Sequence, residues 1–307
     1  MPDVRPLRLG TRTSPLAAWQ AEHVAAGLRA AWHGLDVELV PFVTEGDRNL
    51  AQPLPEIGGK GVFTVEIERA LRDGRIDLAV HSLKDLPTDD PEGLVIGAVP
   101  PRGDAGDAWL CPAGHLLADV PSGAVVGTSS PRRVAQLLRV RPDLRVRSVR
   151  GNVGTRLRKA DEGEVDAVVL ALAGLARLGL SGRVTEALDA PVMLPAPGQG
   201  ALAVQVRAGD AAVAARVAAL DHGPTRMAVE AERHFLAALG GGCSAPIAAL
   251  GVVDGARLTL HGRVVAVDGS RVVDVRVDGD ATAHAARMLG QAAANAALRD
   301  GAAALLA

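Results

Sequence analysis

The chain has 307 residues, 48% of them hydrophobic, and 33 Lys+Arg against 35 Asp+Glu give a formal charge of −2. That length suits two or three domains with real apolar cores. The charge balance, with 2% aromatic residues and no tyrosine, argues against a binder that relies on excess cations facing phosphates or on base stacking, so no nucleic-acid partner is expected. The two cysteines, Cys111 and Cys243, make neither a disulfide framework nor a metal-ligand pattern. MPDVRPLRLG at the N-terminus has no apolar signal region, and the central apolar run Ala167 to Ala176 is far shorter than the roughly 18–20 residues of a membrane span. We expect a cytoplasmic protein without a membrane partner.

In chain order, Leu7 to Leu9 reads as a short strand. Ser14-Pro15 offers an N-cap followed by proline at the first helical position. Leu16, Trp19, Val24, Leu28 and Ala31 then recur at about helical spacing. Val37 to Val43 is strand-like. Phe63, Ile67, Ala70 and Leu71 mark one face of a helix that stops near Gly74. Ile76 to Val80 is a compact apolar strand of the kind buried on both faces of a parallel sheet. This alternation predicts an α/β domain.

The same order then repeats. GTRTSP at 10–15 is echoed by GTSSP at 127–131, and DGRIDLAV at 73–80 by EGEVDAVV at 162–169. Gly-Thr and Ser-Pro are common turn chemistry, so either echo alone is weak; both together predict two similar α/β domains. Pro-rich joints at 99–103 and 194–200 suggest a chain that enters the second domain and returns to the first, a double hinge able to close about a cleft. After His222-Gly223-Pro224 the texture changes. A helical stretch from Ala228 to Leu239 precedes a glycine loop. Alternating segments around 258–260 and 272–275 flank an Asp268-Gly269 turn, which is hairpin chemistry, and an Ala-rich helix closes the chain. The expected division is 1–100 with 200–219, then 104–195, then a small α+β domain over 223–307.

Four stretches could carry chemistry. HSLKDLP at 81–87 places Ser82, Lys84 and Asp85 just past a buried strand, where ligands bind in open α/β sheets; a surface ion pair is the plainer alternative. In TSSPRR at 128–133, hydroxyls, backbone N–H groups and two arginines open a helix. An anion would offset the cost of cations at that end; otherwise it is a solvated helix start. In 145–156, Arg145 and Arg147 share one strand face, while Arg150 and Arg156 flank a Gly-rich loop. With Arg12, Lys60 and Arg177, these loop cations suit a polyanionic small ligand, and no nucleotide motif accompanies them. Finally, GGGCSAP at 240–246 leaves Cys243 approachable. It reads either as a nucleophile or attachment point or as a small buried hydrophobe. Cys111 has only the second reading.

Together, TRTSPLA (11–17), GGKG (58–61), AVHSLKDLP (79–87), GTSSPRR (127–133), RGNVGTRL (150–157), AGLARLG (173–179), PAPGQGAL (195–202) and GGCSAPIAA (241–249) resemble the porphobilinogen deaminase, or hydroxymethylbilane synthase, family across essentially the whole chain. The resemblance implies two lobes like type II periplasmic-binding proteins plus a third domain. It also implies a cytoplasmic, usually monomeric transferase of tetrapyrrole biosynthesis. Such enzymes condense four porphobilinogens head to tail into the linear tetrapyrrole hydroxymethylbilane, releasing ammonia, and pass it on to uroporphyrinogen-III synthase. The implied primer is a dipyrromethane cofactor held by a thioether to Cys243. Lys84, Thr128, Ser130, Arg132 and Arg133 would hold its acid groups. Arg12, Ser14, Arg150, Arg156 and Arg177 would serve substrate and growing chain, with Gln199-Gly200 at the hinge. Asp85 would be catalytic, stabilising the cation as ammonia leaves and the azafulvene forms. Phe63 is expected on a loop over the site. Glu45 and Glu56 stand where some members carry basic residues. The competing readings are a two-lobed solute binder, which does not explain the glycine-flanked cysteine, and a cysteine hydrolase, which would need a histidine near Cys243.

Overall fold

A computed structural model describes residues 5–44, 64–89, 91–241 and 245–306. The elements run β1 (Leu7–Arg12), α1 (Pro15–Ala31), β2 (Val37–Phe42), α2 (Val65–Arg72), β3 (Leu78–Ser82) and β4 (Leu94–Ala98). Next come β5 (Asp107–Leu110), β6 (Val125–Gly127), α3 (Pro131–Val140), β7 (Arg145–Arg147), α4 (Val153–Asp161), β8 (Ala167–Ala171), α5 (Leu172–Arg177) and β9 (Glu186–Leu188). The rest is β10 (Leu202–Arg207), α6 (Ala211–Val217), α7 (Gly223–Ala238), β11 (Ile247–Asp254), β12 (Arg257–Val265), β13 (Val272–Asp280), α8 (Ala283–Arg299) and the short α9 (Ala303–Leu306). Two compact units result, Met1–Arg102 with Ala201–Arg226 and Gly103–Gly200 with Met227–Ala307.

The first unit holds a five-stranded sheet of order β2-β1-β3-β10-β4. Strands β2 and β3 run parallel to β1, while β10 lies antiparallel to both β3 and β4. Pleating divides the core between the faces: Leu78 and Val80 join Leu7, Leu9, Val24 and Leu28 on one, and Ala79 joins Ile67, Leu71 and Ile76 on the other. Ser14 caps α1 as its sequence predicts, accepting from the Ala17 N–H at 3.3 Å. Strand β3 starts at Leu78, two residues after its predicted start, because the Ile76 N–H still bonds the Ala70 carbonyl at the end of α2.

The second unit repeats the pattern. Its sheet order is β7-β6-β8-β5-β9, with β7 and β8 parallel to β6 and β5 antiparallel to β8 and β9. Position by position, β6 matches β1, β8 matches β3, and β5 matches β10. The antiparallel strand of each sheet is therefore reached through a joint: β5 follows residues 99–106, and β10 follows 195–201. This is the duplicated α/β architecture expected from the echoes and the double crossover expected from the two Pro-rich joints. Both copies of the Gly-Thr echo also begin with a glycine that has no room for a side chain. A Cβ would run into Ile76 Cδ1 at Gly10 and come within 2.8 Å of Val149 Cγ2 at Gly127.

The C-terminal segment has its own antiparallel sheet, β11-β12-β13. Phe235, Ile247, Leu260, Val264 and the alanines of α8 fill its core. Asp268 turns the β12–β13 hairpin, accepting from the N–H and hydroxyl of Ser270. Helix α7 begins five residues before the predicted Ala228. Pro224 needs no N–H partner in a first turn, and the imidazole of His222 accepts from the Thr225 N–H at 3.3 Å.

Candidate active site

The predicted site residues follow the carboxyl ends of the parallel strands. Arg12 ends β1, Lys84 and Asp85 follow β3, Thr128 to Arg133 follow β6, Arg150 and Arg156 follow β7, and Arg177 closes the helix after β8. Those ends are where α/β sheets present loops to ligands.

In the first unit, Leu83–Asp85 form a single 3-10 turn. Leu83 and Leu86 are buried, and the Leu83 N–H bonds the Ala201 carbonyl at 3.0 Å, so this turn is fixed at both ends. Lys84 and Asp85 are left half-buried. Among the described residues the Asp85 carboxylate has no hydrogen bond or ion pair. Just upstream, Ser82 accepts from Gln20 Nε2 at 2.9 Å, and buried His81 meets Gln205 Oε1 at 3.2 Å. Burial pushes the His81 pKa down to about 4, with Arg12 adding to the effect and Gln205 opposing it. The ring is therefore neutral near pH 7.

In the second unit, Ser130 is the N-cap of α3 but makes no side-chain cap bond, and its own N–H donates to Thr128 Oγ1 at 3.3 Å. Arg132 and Arg133 are 4% and 5% exposed, so this is no solvated helix start. Both reach the fully buried Asp107 at the start of β5, at 2.8 Å from Arg132 Nη1 and 2.6 Å from Arg133 Nη2. The protein's own carboxylate thus meets the cost of cations at the helix N-terminus. The two arginines differ in what remains. Arg133 also donates from Nε to Asp107 and from Nη1 to the Val169 carbonyl. Arg132 donates from Nη1 to the Leu194 carbonyl at 2.7 Å, and its Nε is buried with no hydrogen-bond partner.

Arg145 and Arg147 share the exposed face of β7. Arg150 and Arg156 are half-buried around the loop capped by Asn152, whose Oδ1 accepts from Thr155 N. Arg156 Nε donates to the Gly151 carbonyl at 2.8 Å. Arg177 Nη2 donates to the Gly200 carbonyl at 2.6 Å, and burial lowers its pKa. Gln199 is fully buried; its Nε2 donates to the Ala105 carbonyl at 2.7 Å and to Asp107 Oδ1 at 3.1 Å. The second unit therefore gathers Arg132, Arg133 and Gln199 around one carboxylate, while Arg12, Ser14, Lys84 and Asp85 belong to the first unit. Lys60, Phe63, Glu45, Glu56 and Cys243 lie outside the described residues.

Family profiles match nearly the whole chain: "porphobilinogen deaminase, dipyromethane cofactor binding domain" over residues 7–215 and "porphobilinogen deaminase, C-terminal domain" over 226–299. The chain belongs to the porphobilinogen deaminase family. It is 48% identical to the porphobilinogen deaminase of Nitratidesulfovibrio vulgaris, covering 99% of this chain and 97% of that one. It is 51% identical to that of Syntrophotalea carbinolica, covering 87% and 85%. Among solved structures, the BvgS periplasmic VFT2 domain of Bordetella pertussis aligns with a TM-score of 0.43 at 16% identity, covering 71% of this chain and 87% of that one. An ancestral arginine-binding protein aligns with a TM-score of 0.38 at 19% identity, covering 71% and 92%.

A porphobilinogen deaminase carries a dipyrromethane group bearing carboxylates, and the second unit suits one. The orphaned Arg132 Nε–H is a buried donor that needs an acceptor, and an arginine fork matches a carboxylate edge to edge. Sequence reasoning missed Asp107, whose only local signal is an acidic residue opening the apolar strand Asp107–Leu110. It also missed Glu232, a buried carboxylate on α7 that accepts from the Gly198 N–H at 2.6 Å and the Gly251 N–H at 2.7 Å. Glu232 thereby ties the loop that carries Gln199 to the C-terminal sheet.

Proposed function

We propose that the protein condenses four porphobilinogen molecules head to tail into hydroxymethylbilane for tetrapyrrole biosynthesis, each step releasing ammonia. The observation that carries this reading is the full-length family match, supported by an uncommitted carboxylate at Asp85 and a buried arginine with a donor to spare at Arg132. When bound, the dipyrromethane primer would supply the nucleophilic pyrrole carbon to which units are added.

In this reading Asp85 accepts from pyrrole N–H groups and offsets the positive charge that develops on the incoming substrate as its C–N bond breaks. Its fixed 3-10 turn means that little reorganisation accompanies that step. Lys84, Thr128, Ser130, Arg132 and Arg133 hold the primer's acid groups, and Cys243 anchors it through a thioether. Arg12, Ser14, Arg150, Arg156 and Arg177 receive the acetate and propionate groups of substrate and growing chain. Gln199 and Gly200 shape the backbone beside them. The charge logic is simple, because every added pyrrole brings two carboxylates and guanidinium forks suit carboxylates. Residues 223–307 act as the anchoring domain. The enzyme works as a cytoplasmic monomer and passes its product to uroporphyrinogen-III synthase; among the described residues no helix is long and apolar enough to cross a membrane.

The test is the intact mass of the purified chain with peptide mapping. The expected result is an added mass of two porphobilinogens less two ammonias, located on Cys243. A chain that gains no adduct from porphobilinogen and releases no ammonia would instead be a two-lobed solute binder.

A further inference from the structure

Arg132 and Arg133 are neighbours in sequence, yet their hydrogen bonding is unequal. The three nitrogens of Arg133 all donate to protein acceptors: Nε and Nη2 to Asp107 Oδ1 at 3.0 and 2.6 Å, and Nη1 to the Val169 carbonyl at 2.9 Å. Arg132 is fastened at one corner only, by Nη1 to the Leu194 carbonyl and to Asp107 Oδ2 at 2.8 Å, and its buried Nε has no partner. Both contacts of Arg132 fall on Nη1, so they fix the plane of the guanidinium and leave the Nε edge available. Asp107 stands at the centre. It is fully buried, it opens the strand placed between β8 and β9, and its Oδ1 also accepts from Gln199.

We propose that Asp107 is the positioning residue of the primer site: it saturates Arg133 as a structural partner and turns Arg132 so that its Nε edge meets a primer carboxylate. The proposal rests on the porphobilinogen deaminase reading above. One carboxylate against two guanidinium groups leaves the cluster one net positive charge, carried by the arginine that still has a donor to give. Arg133 then serves the primer by packing and by charge, and Arg132 by direct contact. Gln199 shares Oδ1 with Arg133 while Arg132 meets Oδ2, so the orientation of Arg132 and the conformation of the joint after Leu194 depend on one carboxylate.

The experiment compares wild type, Asp107→Asn, Asp107→Glu and the double variant Asp107→Leu/Arg133→Leu. The double variant replaces the Asp107–Arg133 pair with apolar side chains, a change that buried sites often tolerate, and leaves Arg132 held by the Leu194 carbonyl. Each full-length chain is purified, its melting temperature measured, and its mass followed during incubation with porphobilinogen. Asp107→Asn keeps the shape but loses the charge, and the folded protein should load its primer about tenfold or more slowly, the scale of a hydrogen bond to a charged group. Asp107→Glu should recover part of the lost rate, because the carboxylate returns. The double variant should fold and load as slowly as Asp107→Asn. A purely structural role predicts a lower melting temperature with wild-type loading of the folded protein. Wild-type loading by Asp107→Asn, or by the double variant if the single one does not fold, would overturn the proposal alone. A wild-type chain that never loads would overturn the functional reading and this proposal with it.

Discussion

Arg177 donates from Nη2 to the Gly200 carbonyl across 2.6 Å, so an arginine expected to bind substrate is held by the backbone of the second joint. Gly200 sits at φ +85, and a Cβ there would fall 2.6 Å from the Gly103 carbonyl oxygen and 2.8 Å from that of Asp104. Both obstacles are backbone, so neither can swing aside. Gly200→Ala should destabilise the protein by roughly 1–3 kcal/mol or more and raise the KM for porphobilinogen by displacing Arg177. Gly182→Ala is the control, since a Cβ there would meet nothing within 4 Å. Thermal unfolding and steady-state kinetics on the two variants check this; equal behaviour would contradict it.

Asp85→Asn should keep the fold and the bound primer yet lose nearly all turnover. The substitution leaves the 3-10 turn and its buried leucines intact while removing the charge that opposes the developing cation. A loss on the order of 10²–10³ in rate is the scale for removing one preorganised electrostatic partner. Ammonia release measured beside intact mass tests both halves at once, and substantial activity in this variant would remove Asp85 from the catalytic role.

The adjacent arginines should fail differently. Arg133→Leu removes the guanidinium with the more complete hydrogen bonding, and breaking a buried pair costs about 3–5 kcal/mol, so its first symptom is a fall in melting temperature. Arg132→Leu should abolish stable primer assembly instead. Measuring melting temperature and bound primer on both variants separates the two effects. A normally loaded, active Arg132→Leu enzyme would refute the assignment.

His81 gives a pH signature. Its folded pKa of about 4 lies below the ordinary histidine value near 6.5. Between those values the unfolded chain binds the proton that the folded chain refuses, so stability rises with pH across that window. Conversely, the contribution, about 3 kcal/mol for a shift of this size, is lost as pH falls from about 6.5 towards 4. His81→Gln should flatten this part of the stability profile, read as melting temperature against pH. An unchanged slope would show that other groups produce it.

Much of the architecture was legible because its signals are short-range. The Ser14-Pro15 cap and the Asp268-Gly269 turn each act over a few residues and appear where their chemistry placed them. Helix α1 spans the predicted stretch, although of the predicted face Val24 and Leu28 are buried with Ala17, Ala21 and Ala25 while Trp19 and Ala31 are exposed. Boundaries shifted where another element intervened, as when His222 capped α7 early. The duplication was legible for a related reason: equivalent central strands meet equivalent crowding, so Gly10 and Gly127 recur at the same point.

The sequence by itself determined the residue types of the site and, through the strand-then-loop order, their placement at the carboxyl ends of parallel strands. Tertiary structure decided how those residues are used. Asp107 pairs with Arg133 across 26 positions of chain only because β5 runs antiparallel beside β8, and no local pattern encodes that neighbour. Burial then alters the chemistry. Two arginines that read as solvent-facing anion hooks become one structural partner and one buried donor, because inside the protein each N–H must find an acceptor or remain unpaired at a cost.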